Sequence, residues 1–343
     1  MTRVIIDNVS VVFGKNRQQA LALADEGANR GEVETATKGI LGVHNCNLAI
    51  EQGEILVLMG LSGSGKSTLL RTINGLIAPA RGQVIIEDEN NAYDVAKLKK
   101  RELQFLRTKL VSMVFQQFAL LPWRSVAENV GLGLEIAKTP RLTRAEIVKE
   151  QLALVGLEEW ADHPISALSG GMQQRVGLAR AFSTGAPILL MDEPFSALDP
   201  LIRTHLQDQL KEIQKRLNKA IIFVSHDLNE AMRIGTRIAI MRDARIVQYG
   251  TPQEIVLSPI DSHVAEFVQH INPLTFLTAR DIMLPFNRET ARVRVSAMAK
   301  ATTPLSELIN ALARSPGEIG IVEKGQIIGS VSNREILTHL SRR

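Results

Sequence analysis

Short apolar-rich runs alternate with amphipathic stretches along most of this chain. Ile55–Met59, Val111–Phe115, Ile188–Met191 and Ile221–Val224 are such runs, and each ends at a glycine, charged or polar residue. Runs of that length predict strands covered on both faces, and the helix-like stretches between them predict a mostly parallel sheet flanked by helices. Residues 3–13 and 41–50 also predict strands, joined by a polar, helix-like stretch from Gly14 to Gly39, and Gln83–Glu87 predicts a shorter one. Residues 125–165 read as helix throughout, which predicts a helical subdomain, at about 117–170, inserted into the α/β layer. The texture changes after Val268. His270-Ile271-Asn272-Pro273 predicts a linker, followed by a strand at 292–295, a helix at 304–314 and strands at 319–323 and 326–330. Lys324-Gly325 predicts a tight hairpin turn, and a last helix follows Asn333, whose side chain is placed to cap it.

At 343 residues the chain is long for one core, and the expected division is residues 1–268 and 269–343. No apolar run approaches the length of a membrane span, and the first residues lack a signal-peptide core, so a chain that neither crosses a membrane nor is secreted is expected. The single cysteine, Cys46, reads as a small strand residue in a reducing compartment. Aromatic residues are only 4% of the chain, too few for a base-stacking surface, which argues against a nucleic-acid partner. The basic stretch Lys97–Lys109 reads as a solvated helix face over Leu98, Phe105 and Leu106. The formal charge of +4 is small, but the tail from Ile271 onward carries ten basic and six acidic residues and so accounts for all of it.

Chemistry concentrates where strands end. After Ile55–Met59 comes Gly60-Leu61-Ser62-Gly63-Ser64-Gly65-Lys66-Ser67-Thr68 and then a helix-like run. Strand, glycine-rich turn and helix start make a phosphate cradle: backbone N–H groups converge on the anion, Lys66 reaches the outer phosphates and Ser67 offers a hydroxyl to Mg²⁺. Ile188–Met191 ends in Asp192 and Glu193. A buried strand can hold Asp192 against the Mg²⁺ shell, while Glu193 is placed to polarise an attacking water. Leu168-Ser169-Gly170-Gly171-Met172-Gln173-Gln174-Arg175 is a second hydroxyl-and-glycine helix start without a lysine. One chain can hardly fold both anion sites onto one γ-phosphate, so Ser169 and Gly170 are expected to serve a nucleotide held by a second protomer.

The loop at 60–68, LSGGMQQR, ILLMDEP and Ser196-Ala197-Leu198-Asp199 together resemble the ATP-binding subunits of ABC transporters. The resemblance covers about residues 3–250. It implies ATP and Mg²⁺ as cofactors and assigns Gln116 to Mg²⁺ and water, His226 to the γ-phosphate, Asp199 to the loop after the catalytic carboxylates, and Ser169, Gly170, Gly171 and Gln173 to the partner's nucleotide. Phe13 is expected to stack on adenine, although the insertion at 14–39 separates it from the loop and could supply a replacement. The resemblance further implies a head-to-tail homodimer bearing on integral-membrane permease subunits, served indirectly by a substrate-binding protein, at the cytoplasmic face of a bacterial plasma membrane. Gln117–Arg124, with Phe118 and Trp123, is the expected permease-docking loop. The competing expectation is that Phe118, Leu120 and Leu121 are core of the helical subdomain.

The insertion, the stretch MGLSGSGKSTLLRTINGLI and the extra tail resemble the ATPases of quaternary-ammonium importers, which take up glycine betaine, proline betaine or choline in osmoprotection. The tail, through EIGIVEKGQIIG and Asn333-Arg334-Glu335-Ile336-Leu337, resembles one cystathionine-β-synthase-type (CBS) regulatory repeat. It is either paired across a dimer or purely structural, and its charge suggests contact with anionic lipid. An importer of an amino acid or sugar, and a soluble ABC ATPase of repair or translation, are the competing functions.

Overall fold

The computed structural model describes residues 2–196, 198–269, 271–285, 295–314 and 317–341. Ala197, His270 of the expected linker and the first three residues of the strand expected at 292–295 lie outside them. The chain forms two compact units, Met1–His226 with Ile234–Val247, and Asp227–Arg233 with Gln248–Arg343.

The first unit is built on two sheets. One has six strands in the spatial order Arg245–Gly250, of which residues 245–247 belong to this unit, Arg237–Arg242, Ile55–Met59, Ala220–Val224, Ile188–Asp192 and Val111–Val114. From Arg237–Arg242 to Val111–Val114 neighbouring strands run parallel. Every residue of Ile55–Met59, Ile188–Asp192 and Ala220–Val224 is buried, which is why these strands read as continuous apolar runs rather than alternating ones. The second sheet has the order Ile40–Glu51, Arg3–Phe13, Arg81–Glu87, Ala92–Asp94, and its pairs are antiparallel. Arg81–Glu87 starts earlier than its polar first residues suggest. A single hydrophobic core joins both sheets through Ile6, Val43, Ile50, Leu69, Ile73, Ile86, Leu190 and Ile222.

The stretch between Phe13 and Ile40 folds into two helices, Arg17–Asp25 and Arg30–Thr37. Ala20, Ala24 and Val33 are fully buried against Val12, Leu41 and Ala244. The second helix opens with a reciprocal cap: the Asn29 side chain accepts from the Glu32 N–H, and the Glu32 carboxylate accepts from the Asn29 N–H at 2.8 Å. A polar clip completes the attachment. Arg81 donates to both Asp25 oxygens at 2.6 and 2.8 Å, and His44 Nε2 lies 2.9 Å from Asp25 Oδ1.

Residues 125–165 are helical in pieces, Val126–Val130, Leu132–Ile136 and Arg141–Leu154 with short turns between, rather than continuously. Asn129 is wholly buried; its side chain accepts from the Leu121 N–H and donates to the Leu121 and Ser125 carbonyls, tying the incoming loop to the first piece. In the basic stretch, Leu106 is fully buried, but Phe105 lies on the open side at 45% exposure, against the expectation that it faced inward.

The second unit holds the helices Pro252–Leu257 and Ser262–Val268 and a four-stranded sheet in the order Leu284–Pro285, Gln326–Ser332, Glu318–Glu323, Val295–Lys300. Val295–Lys300 and Glu318–Glu323 run parallel, connected through the helix Leu305–Arg314. Glu318–Glu323 returns antiparallel through Lys324-Gly325, with φ 49° and 79°, the left-handed pair a two-residue hairpin requires. Leu305, Leu308, Leu312, Ile319, Ile321, Val331 and Ile336 form its core. The last helix, Asn333–Ser341, is not capped by Asn333. Ser332 takes that role: its Oγ accepts from the Arg334 N–H at 3.1 Å, and Glu335 accepts from the Ser332 N–H at 2.9 Å and from its hydroxyl. A hydroxyl one residue earlier reaches the free N–H groups, whereas Asn333 is already inside the first turn.

Candidate functional site

Four neighbouring parallel strands end on one side of the sheet, and each delivers a polar group there. Their carboxyl ends lead to the loop Gly60–Gly65, to Gln116, to Asp192-Glu193 and to His226. Open α/β sheets bind ligands at this edge.

The loop turns tightly enough that two of its glycines admit no other residue. Gly60 has φ +141° and a Cβ there would sit 2.1 Å from the Met241 carbonyl; Gly65 has φ +101° and a Cβ would sit 2.4 Å from the Gly42 carbonyl. Gly65 leads directly into the helix Lys66–Ile73, so the first N–H groups of that helix face the loop's hollow. Lys66 is 6% exposed and its Nζ donates to the carbonyls of Gly60 and Leu61 at 2.8 and 2.9 Å. Burial pushes its amine below the ordinary lysine value, opposed by the charges of Glu193 and Asp192. A buried cation satisfied only by neutral carbonyls is poised to exchange them for an anion.

Asp192 is fully buried at the end of its strand. Its Oδ1 accepts from Ser67 Oγ at 2.7 Å and its Oδ2 from Arg71 Nη2 at 3.0 Å. The arginine, one turn into the same helix, carried no signal in the sequence. Glu193 follows with φ +50°, a left-handed backbone uncommon for a residue of this size. That turn brings its carboxylate to 3.3 Å from Gln116 Nε2 and 3.4 Å from His226 Nδ1. The three residues expected at the reacting phosphate therefore meet around one carboxylate.

Glu193, Gln116 and His226 line a pocket of about 480 Å³ with Phe13, Arg30, Ile40, Gly42, Ser62, Gly63, Gly65, Lys66, Ser67 and Thr68, whereas Asp192, fully buried, is not among its lining residues. Phe13 stands opposite Ile40 in the strand register and both are partly exposed, giving an apolar shelf beside the loop. Gly60 and Ser64 support the loop from beneath, Ser64 being 6% exposed. Ser169, Gly170, Gly171, Gln173 and Asp199 do not line this pocket. Ser169 caps the helix Gly170–Ser183 through the Met172 N–H, and a Cβ on Gly170 would meet nothing within 4 Å. Gln173 donates to the carbonyls of Ile165 and Leu168, and Asp199 caps Pro200–Leu217 through the Ile202 N–H. Arg30 was not foreseen in the pocket.

The sequence matches the ABC transporter family over residues 43–196. The glycine betaine/carnitine transport ATP-binding protein GbuA of Listeria monocytogenes is 41% identical over 95% of this chain and 82% of its own length. The glycine betaine/proline betaine transport system ATP-binding protein ProV of Escherichia coli is 43% identical over 98% of this chain and 82% of its own length. The chain belongs to the ABC transporter family. A dimeric ATP-binding cassette in a post-hydrolysis state, bound to ADP and Pi, superposes with a TM-score of 0.62 at 32% identity, covering 73% of this chain and 98% of that one. The P-loop ABC fold is thereby shown, and the chain is an ATP-binding ABC ATPase whose hydrolysis is coupled to transport. None of its described helices is long and apolar enough to cross a membrane.

Proposed function

We propose that this ABC ATPase drives import of a quaternary-ammonium solute of the glycine betaine, proline betaine and choline class. Identity above 40% to two glycine betaine ATP-binding proteins over nearly the whole chain, insertion and tail included, carries this reading. The trimethylamine N-oxide transport ATP-binding protein of Ruegeria pomeroyi, 37% identical over 96% of this chain and 94% of its own length, favours a second reading with another small methylated amine.

In this reading the ATPase extends to about residue 268, and the phosphates lie along Gly60–Thr68 with Lys66 on the outer ones. Ser67, Gln116 and Asp192 supply oxygen donors of the hard kind Mg²⁺ takes, and Ser67 and Asp192 already stand 2.7 Å apart, so these residues fit the ion and would hold it together with phosphate oxygens. Bound there, it would neutralise developing charge on the phosphates. Glu193 takes the proton of the attacking water, and Gln116 and His226 hold its carboxylate toward the γ-phosphate side. Phe13 and Ile40 receive the adenine. Ser169, Gly170, Gly171 and Gln173, open on the surface of the single chain, close on the nucleotide of a second copy, with Asp199 nearby. Trp123, at 77% exposure, meets the permease, while Phe118 and Leu120 are half-buried and serve as core. The chain then sits peripherally at the cytoplasmic face of the membrane, and the segment from 269 acts as a CBS-like regulatory module touching anionic lipid.

Uptake of labelled glycine betaine, choline and trimethylamine N-oxide by cells carrying the intact chain or Lys66→Ala tests the reading. Loss of one of the first two in the variant supports it. Loss of the N-oxide alone selects the second reading, and uptake of all three unchanged in a strain with no other importer sinks both.

A further inference from the structure

We propose that Arg30, supplied by the N-terminal insertion, is a nucleotide-binding residue that pairs with the phosphate chain of bound ATP. Lys66 and the helix start already account for one end of the polyphosphate. Arg30 reaches the same loop from the insertion, where its Nη1 donates to the Gly63 carbonyl. It lines the pocket beside Ser62 and Gly63 and shares it with the Phe13–Ile40 shelf. A nucleotide with its base on that shelf and its outer phosphates at Lys66 would occupy the pocket that this guanidinium lines.

Two further observations separate Arg30 from an incidental surface arginine. Among the described residues no carboxylate pairs with it, so the half-buried charge is held only by a neutral carbonyl, a contact that a phosphate oxygen outcompetes. Its backbone is also fixed. Arg30 opens a helix held by the Asn29–Glu32 cap, by the buried Val33, and by the Asp25 clip to Arg81 and His44 on the preceding helix. Such packing keeps the guanidinium at the pocket before ligand arrives, and a preorganised fork loses little entropy on binding. The insertion would then be part of the nucleotide site rather than an appendage to it.

The proposal rests on the pocket being the ATP site, and calorimetric titration of the full chain with ATP, ADP and AMP keeps the two claims apart. Arg30→Gln should weaken ATP about tenfold at low salt, with the difference from wild type shrinking at high ionic strength, and Arg30→Lys should recover part of it. The unliganded variant should melt as wild type does. Affinity for ATP within twofold of wild type overturns the assignment. So does a loss that salt leaves unchanged, or one accompanied by a lower melting point, since either marks a structural role. If Lys66→Ala retains full ATP affinity, the pocket is not the ATP site and the Arg30 assignment falls with that reading, whereas a weakened Lys66→Ala beside an unaffected Arg30→Gln overturns the Arg30 assignment alone.

Discussion

At the scale of single residues, the pocket is a set of charges held by weak or displaceable partners. Lys66→Ala removes a buried cation from the anion site and should weaken ATP binding about a hundredfold, close to 3 kcal/mol, read by titration with a fluorescent ATP analogue. Glu193→Gln keeps the shape and the Gln116 and His226 neighbours but not the base, so hydrolysis should fall about a thousandfold while ATP binding persists, as phosphate release would show. Lys219 offers a pH test remote from the chemistry. It is 6% exposed at the start of Ala220–Val224, and burial pushes its amine down to about 8 from 10.5. Between those values the unfolded chain keeps the proton that the folded chain has lost, so stability should rise with pH through that window. Below about 8 both forms are protonated and the burial penalty stands in full. Lys219→Met should flatten this part of the pH profile, measured as urea midpoints from pH 7 to 10 relative to wild type.

At the scale of elements, the parallel strands were legible because burial on both faces leaves only one composition available to them. Ile55–Met59 appears at the boundaries its apolar run implied. The polar groups at their ends were legible too, since each follows a strand and needs no partner in the sequence to be noticed. Arg30 and Arg71 were not: an arginine in a polar helix looks the same whether it meets solvent, a carbonyl or a buried aspartate. Ala92–Asp94 was too short to leave a pattern, and the cap of the last helix fell on Ser332 because one residue of phase is beyond what composition can decide. Ser332→Ala should therefore cost the second unit about 1 kcal/mol by chemical denaturation, and Asn333→Ala far less. In the insertion, the Arg81 guanidinium beside Asp25 holds its carboxyl well below the usual carboxylate range, with His44 adding to the effect. A depressed carboxyl contributes stability that is complete above its unfolded value of 3.8 and is lost as pH falls below that. Asp25 is 41% exposed, so solvent screens much of the gain. Asp25→Asn should make proteolysis of the insertion faster at neutral pH and nearly indistinguishable from wild type in acid.

At the scale of the whole molecule, two compact units share a chain of which one carries all the pocket residues. The excess positive charge lies in the segment from Ile271 onward, and the contact with anionic lipid proposed for that segment would make the motor respond to ionic strength. Removing residues 271–343 should make uptake or ATPase rate insensitive to ionic strength, and a salt dependence equal to wild type would exclude that role. A stability consequence follows from the left-handed backbone at Glu193. Asparagine tolerates that conformation better than glutamate does, so Glu193→Asn should fold more stably, by about 1 kcal/mol, while hydrolysing almost nothing. Libraries of this protein sorted by heat resistance alone would therefore enrich for idle motors, and any stabilisation campaign has to score turnover at every round.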